Sequence, residues 1–147
     1  MKKIFATLAL LLLSGPVSAG TLSGQCSAKF RVHTAQPTGQ DNMMALDLSI
    51  QFIPGNKMIF FMEGNASLDG NRYTIARYLT FSYDSPEQDY YSLHREAIQR
   101  LQSDNYLADD LAARFGLYDI SPNLHITELN NNYVFANEFS PLFICTR

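Results

Sequence analysis

The chain has no tryptophan and only two cysteines among 147 residues. The two, Cys26 and Cys145, lie too far apart in the sequence to form a Cys-x₂-Cys pair. The three histidines, His33, His94 and His125, are far apart, so the local spacing that marks zinc sites is missing. No Gly-x-Ser-x-Gly elbow, phosphate loop or dinucleotide fingerprint occurs. No cluster of Lys and Arg occurs either, which removes the electrostatic footprint of a nucleic-acid binder and disfavours polybasic docking on an anionic membrane. Asp109-Asp110 is a carboxylate pair, yet neighbouring helical residues point about 100° apart. Early in a helix they would instead favour its dipole. Carboxylates converging from distant strands stay open to a glycosidase. The inventory points away from an enzyme, and no cofactor or metal is expected.

Long apolar runs are also missing. Ile4 to Leu13 is apolar apart from Thr7, short of the roughly 20 residues that span a bilayer. It follows Lys2-Lys3, is broken by Ser14-Gly15-Pro16, and leads to Val17-Ser18-Ala19, the small residues a signal peptidase reads. The expectation is a signal peptide over 1–19, cleaved after Ala19, and a single β-rich periplasmic domain over 20–147. An uncleaved inner-membrane anchor is the minority reading, and no direct membrane insertion is expected after cleavage. Lipidation at Cys26 is disfavoured because Gln25 precedes it. Without the two signal lysines, nine Lys and Arg remain of eleven, against fourteen Asp and Glu, a net charge of −5. Export also explains the cysteines. Cys26 and Cys145 are expected to form one disulfide that ties the chain's ends together.

Most of the chain alternates with period two, the pattern of half-buried strands. Ala28, Phe30 and Val32 mark a first strand over about Cys26–Thr34, followed by a turn from Gln36 to Asn42. Met44, Leu46, Leu48, Ile50 and Phe52 mark a second, closed by Pro54-Gly55-Asn56-Lys57. The third runs from Lys57 to Ser67, with both faces apolar at its start, and ends at Asp69-Gly70-Asn71. The fourth spans Arg72–Tyr83, before a turn at Asp84-Ser85-Pro86. A fifth covers about Asp89–Gln99, although Glu96–Leu101 reads equally well as helix. Ser103 or Asp104 as N-cap, Tyr106, Leu107, Leu111 and Phe115 near 3.6 spacing, and Gly116 as stop predict a helix near residues 104–115. Two closing strands, about Leu124–Leu129 and Tyr133–Cys145, flank Asn130-Asn131-Asn132. The fold class is mainly β (α+β): an antiparallel sheet of about seven strands with one helix, curled into a sandwich or partial barrel.

Tyr73, Ile75, Leu79, Phe81 and Tyr83 share one face of the fourth strand, and Arg77 interrupts them. If that face is interior, the guanidinium needs a carboxylate, a carbonyl or an anionic ligand. Alternatively, a bulge near Ala76 turns Arg77 into water. The tyrosines Tyr73, Tyr78, Tyr83, Tyr90 and Tyr91 crowd the middle hairpin. They suit either a partner or amphipathic ligand, or plain cross-strand packing. The candidate contacts are therefore Arg77, Tyr73, Tyr78 and Tyr83. Asn65-Ala66-Ser67 fits a glycosylation sequon beside a turn, a weak signal.

Three closing segments carry a resemblance: Asn123-Leu-His-Ile-Thr-Glu-Leu-Asn130, Asn132-Tyr-Val-Phe-Ala-Asn137 and Phe139-Ser-Pro-Leu-Phe-Ile-Cys145. With Cys26-Ser-Ala-Lys-Phe30 at the start, the chain resembles the FidL-like family of small enterobacterial envelope proteins. The Ser-Pro-Leu-Phe-Ile-Cys ending is the distinctive motif, and only the two cysteines carry across as functional residues. The resemblance implies an accessory role like that of ToxS-like partners of ToxR-type membrane-bound regulators. Such partners stabilise the regulator's periplasmic domain or complete a sensory barrel, in some pairs with a bile salt in a shared apolar cavity. A small amphipathic ligand is thus implied beside the protein partner. Family members generally keep an N-terminal anchor, and Pro16 with Val17-Ser18-Ala19 departs from that pattern. The competing readings are a secreted or fimbria-like structural β subunit and, behind it, a small hydrolase or inhibitor.

Overall fold

The computed structural model describes residues 21–35, 39, 41–115 and 123–147. The segment read as a signal peptide, most of the first turn and the helix stop at Gly116 lie outside the described residues. Eight strands follow in order: β1 (Gln25–Thr34), β2 (Asn42–Ile53), β3 (Lys57–Leu68), β4 (Asn71–Glu87), β5 (Tyr90–Arg100), β6 (Asn123–Leu129), β7 (Asn132–Ala136) and β8 (Pro141–Cys145). One helical turn, α1 (Leu111–Arg114), lies between β5 and β6. Each strand pairs antiparallel with the next, giving a sheet ordered β1 to β8.

Alternation builds the sheet as expected. In β2, Met44, Leu46, Leu48, Ile50 and Phe52 are buried while Met43, Ala45, Asp47, Ser49 and Gln51 are exposed. The hairpins Asp69-Gly70 and Asn130-Asn131 have positive φ at both central residues, as the twist-matched two-residue turn requires. Gly64 faces Leu46 where β2 and β3 bend together. A Cβ there would collide with the Ala45 carbonyl oxygen and come within 2.9 Å of the Leu46 Cα. The bend needs a glycine.

The sheet curls until its two edges meet. Ser27 N donates to Thr146 O, and Thr146 N donates back to Ser27 O, both at 2.8 Å. The Cys26–Cys145 disulfide lies beside this bridge and joins first strand to last. The result is a nearly closed eight-stranded barrel, a size whose interior side chains just fill or which holds one small ligand. Ile50, Met58, Leu68, Ile75, Ile126, Tyr133 and Phe135 are its largest fully buried apolar and aromatic side chains among the described residues.

Four details differ from the sequence reading. The last predicted strand is two strands, β7 and β8, which raises the count from seven to eight. Asn137 Oδ1 accepts from the backbone N–H of Phe139 and of Ser140, and this side-chain-built turn splits the run. Asp84-Ser85-Pro86 is no turn: β4 continues to Glu87 with an irregularity between Asp84 and Glu87, a position that tolerates proline. Asn65 of the sequon lies mid-strand in β3, paired with Ala45 and Thr74, not beside a turn. Finally, the helix near 104–115 shrinks to Leu111–Arg114. Residues 101–106 lie instead along β4, with Leu101 N donating to Ala76 O and Asn105 N to Thr74 O. Tyr106, Leu111 and Phe115 are buried as their spacing suggested, but Leu107 is 77% exposed.

Candidate functional site

Arg77 faces inward and is only 2% exposed, so β4 does not turn it into water at Ala76. Its Nε donates to Asp104 Oδ2 at 2.6 Å, one Nη to Asp104 Oδ1 at 2.7 Å, and the same nitrogen to Tyr106 O at 2.6 Å. The backbone N–H of Ala76 and of Tyr106 also donate to the Asp104 carboxylate. Burial alone would raise the Asp104 pKa; the hydrogen bonds from Arg77, Ala76 and Tyr106 outweigh it and hold it below the usual value. A buried charge pair of this kind stands because both partners are hydrogen-bonded as well as paired. Burial, reinforced by a hydrogen bond to Asp110, pushes the Tyr106 hydroxyl up to about 12.

The tyrosines do not converge. Tyr73 packs edge-on against Tyr106 at 5.0 Å, and Tyr83 edge-on against Tyr91 at 5.5 Å, both inside the barrel. Tyr78 stands on the outer surface, tilted over Phe61 at 4.7 Å. Of the four candidate contacts, Arg77 and Tyr73 share the Asp104–Tyr106 neighbourhood; Tyr83 and Tyr78 stand apart from it and from each other. Asp109 and Asp110 are likewise separately engaged, by Arg100 and by the Tyr106 hydroxyl. His33 and His94 meet Asp41 and Asp84 on the surface, while His125 packs against Tyr90.

Two openings remain in the wall. Beyond the Ser27–Thr146 bridge, β1 from Lys29 to Thr34 pairs only with β2, and β8 from Pro141 to Ile144 only with β7, among the described residues. The strands diverge as a wedge in which Phe30, Val32, Leu142 and Phe143 are half-buried and Ile144 is exposed. Phe30 and Phe143 meet edge-on at 6.0 Å across it. Phe139, at the neighbouring turn, is 83% exposed. On the far side, among the described residues, β5 and β6 pair only over Tyr90–Ser92 and Asn123–His125. Close to the unpaired part of β5 lies a cavity of about 130 Å³, walled by Met44, Leu46, Met62, Leu79, Ile98 and Leu111. Arg77, Arg95, Asp109 and Ala112 complete its lining.

Sequence reasoning missed Asp104 as a partner and Arg95 as a residue at the edge of the cavity. Asp104 read only as a helix cap. Arg95 pairs with Phe81 and Ala97 with Thr80, so Glu96 is the extra residue of a bulge that brings Arg95 and Ile98 to one face. The signal was the phase break from Tyr91 and Leu93 to Ile98.

A first strand disulfide-bonded to the last, with a hairpin array between, is the arrangement that the cysteine count and the alternation predicted. The sequence profile described as FidL-like putative membrane protein matches residues 64–145, more than half of the chain. The chain belongs to the FidL-like family. Among curated proteins none matches it. The family and the disulfide together mark this FidL-like chain as an exported protein. Among the described residues no helix is long and apolar enough to cross a membrane.

Proposed function

We propose that this FidL-like protein is a periplasmic accessory subunit that acts by binding, and not by catalysis, with a membrane-bound regulator as its protein partner. The observation that supports it best is the wedge between β1 and β8. Two strand edges with unspent backbone donors and acceptors flank an exposed apolar rim, and soluble proteins ordinarily cover such edges. A partner strand entering there would gain main-chain hydrogen bonds from one or both edges and would bury Phe30, Val32, Phe143 and Ile144. Export by a cleaved signal puts the wedge in the same compartment as a regulator's periplasmic domain. The carboxylates that could be imagined as catalytic are each occupied by an internal partner, which supports the binding role.

The test is photocrosslinking in the native host from a reactive residue placed at Arg31 or at Ile144, with Tyr78 on the outer wall as control. Capture of a single-pass protein with a cytoplasmic DNA-binding domain from Arg31 and Ile144, but not from Tyr78, is the expected result. Capture of a second copy of this chain would favour the fimbria-like subunit instead. Equal capture from all three positions, or none, would remove the wedge as a docking edge.

A further inference from the structure

The cavity beside β5 is separate from the wedge and has a charge pattern of its own. Arg77 and Arg100 are opposed residues of β4 and β5, and the bulge at Glu96 puts Arg100 on the same side of the sheet as Arg95. Asp104 neutralises Arg77, and Asp109 neutralises Arg100. The other charges packed against the region are also engaged: Arg114 with Asp69, and Asp110 with the Tyr106 hydroxyl. Arg95 has no carboxylate partner among the described residues, so one positive charge is left at the rim of an apolar cavity.

Size narrows the ligand. An apolar cavity of about 150 Å³ holds a benzene ring in another protein. The cavity here, about 130 Å³, takes a ring or a chain of comparable size. Sites that enclose drug-sized ligands run to about 300–1,000 Å³, so a steroid nucleus does not fit.

We propose that this cavity binds a small monoanionic amphiphile, a carboxylate carrying an apolar group of about six carbons. The carboxylate lies against the Arg95 guanidinium at the rim, and the apolar group contacts Leu79, Ile98 and Leu111. This deepens the ligand half of the family expectation, and it stands on the cavity whether or not the wedge takes a partner.

Hexanoate, hexanol and hexylamine, titrated into purified oxidised protein and followed by methyl NMR, test it. Hexanoate should bind saturably, with shifts centred on the methyls of Leu79, Ile98 and Leu111. Hexanol and hexylamine should bind at least tenfold more weakly. Arg95→Gln, at an exposed position, should weaken hexanoate at least fivefold and leave the thermal midpoint in place. Ile98→Trp, which fills the cavity, should abolish binding. Should Ile98→Trp lower the midpoint, Arg95→Gln decides alone. No saturable binding, equal affinity for the three probes, shifts mapping elsewhere, or indifference to Arg95→Gln would each overturn the site. Crosslinking from the wedge reads the partner separately, so failure of one reading leaves the other standing.

Discussion

Arg77 and Asp104 show at the residue scale how a buried charge becomes part of the frame. Removing one partner strands the other in the interior, which typically costs about 3–5 kcal/mol. Replacing both by apolar residues of similar volume costs far less. Arg77→Ala should therefore destabilise by about 3–5 kcal/mol in urea denaturation, and Arg77→Met/Asp104→Leu by well under half of that. Asp104 also sets a pH dependence. Its folded pKa is depressed, so its contribution is present above the ordinary aspartate value of about 3.9 and is lost as pH falls through the folded value. The wild type should lose stability below about pH 4 more steeply than the double variant, measured as unfolding midpoint against pH. Gly64 is the other residue whose identity is dictated. Gly64→Ala forces a Cβ onto the Ala45 carbonyl and should cost about 1–3 kcal/mol by the same denaturation experiment.

At the scale of elements, local propensity won wherever a turn or strand could be completed by its own residues. It lost where a distant partner offered more. The segment after β5 has a helical pattern, but Asp104 takes hydrogen bonds from Arg77 and Ala76 instead of capping a helix. Leu101 and Asn105 then spend their N–H groups on β4. Only Leu111–Arg114 remains helical among the described residues. The split between β7 and β8 is local by contrast, and Asn137 carries it through two hydrogen bonds. Asn137→Ala should cost about 1 kcal/mol. It should also speed hydrogen exchange at the amides of Phe139 and Ser140, with little change in β2 or β3. Uniform acceleration across the sheet would show that the turn does not hold β8 alone.

The whole molecule is a sheet curled almost shut and fastened at one place. The disulfide and the Ser27–Thr146 bridge do the fastening. Arg147 adds to it, its guanidinium lying 4.3 Å from the centre of the buried Tyr133 ring. The disulfide closes a loop with a sequence separation of 119. By the chain-entropy account such a loop is worth about 4–5 kcal/mol, an upper figure. Cys26→Ala/Cys145→Ala should lower the unfolding free energy by a large part of that, and an unchanged midpoint would remove the disulfide from the stability account. Because the fastening is confined to one end, the same loss should open the β1–β8 wedge first, as faster exchange at the Thr146 and Ser27 amides.

Export, the cysteine pairing, most of the strands and the two-residue hairpins were legible in the chain. Each depends on residues close in sequence or on a count with one solution: alternation, positive-φ turn residues, two cysteines. The family was legible too, in its closing strands. The fate of Arg77 was readable only as a choice, because a strand's own pattern shows that a charge faces inward but not what meets it. Asp104 meets it across 27 positions. The bulge that brings Ile98 and Arg100 to the face of Arg95, the cavity at its side and the incomplete closure of the barrel were decided by tertiary structure alone. They arise from how far each strand's pairing extends before its neighbour diverges, a balance between distant edges that no short window of sequence contains.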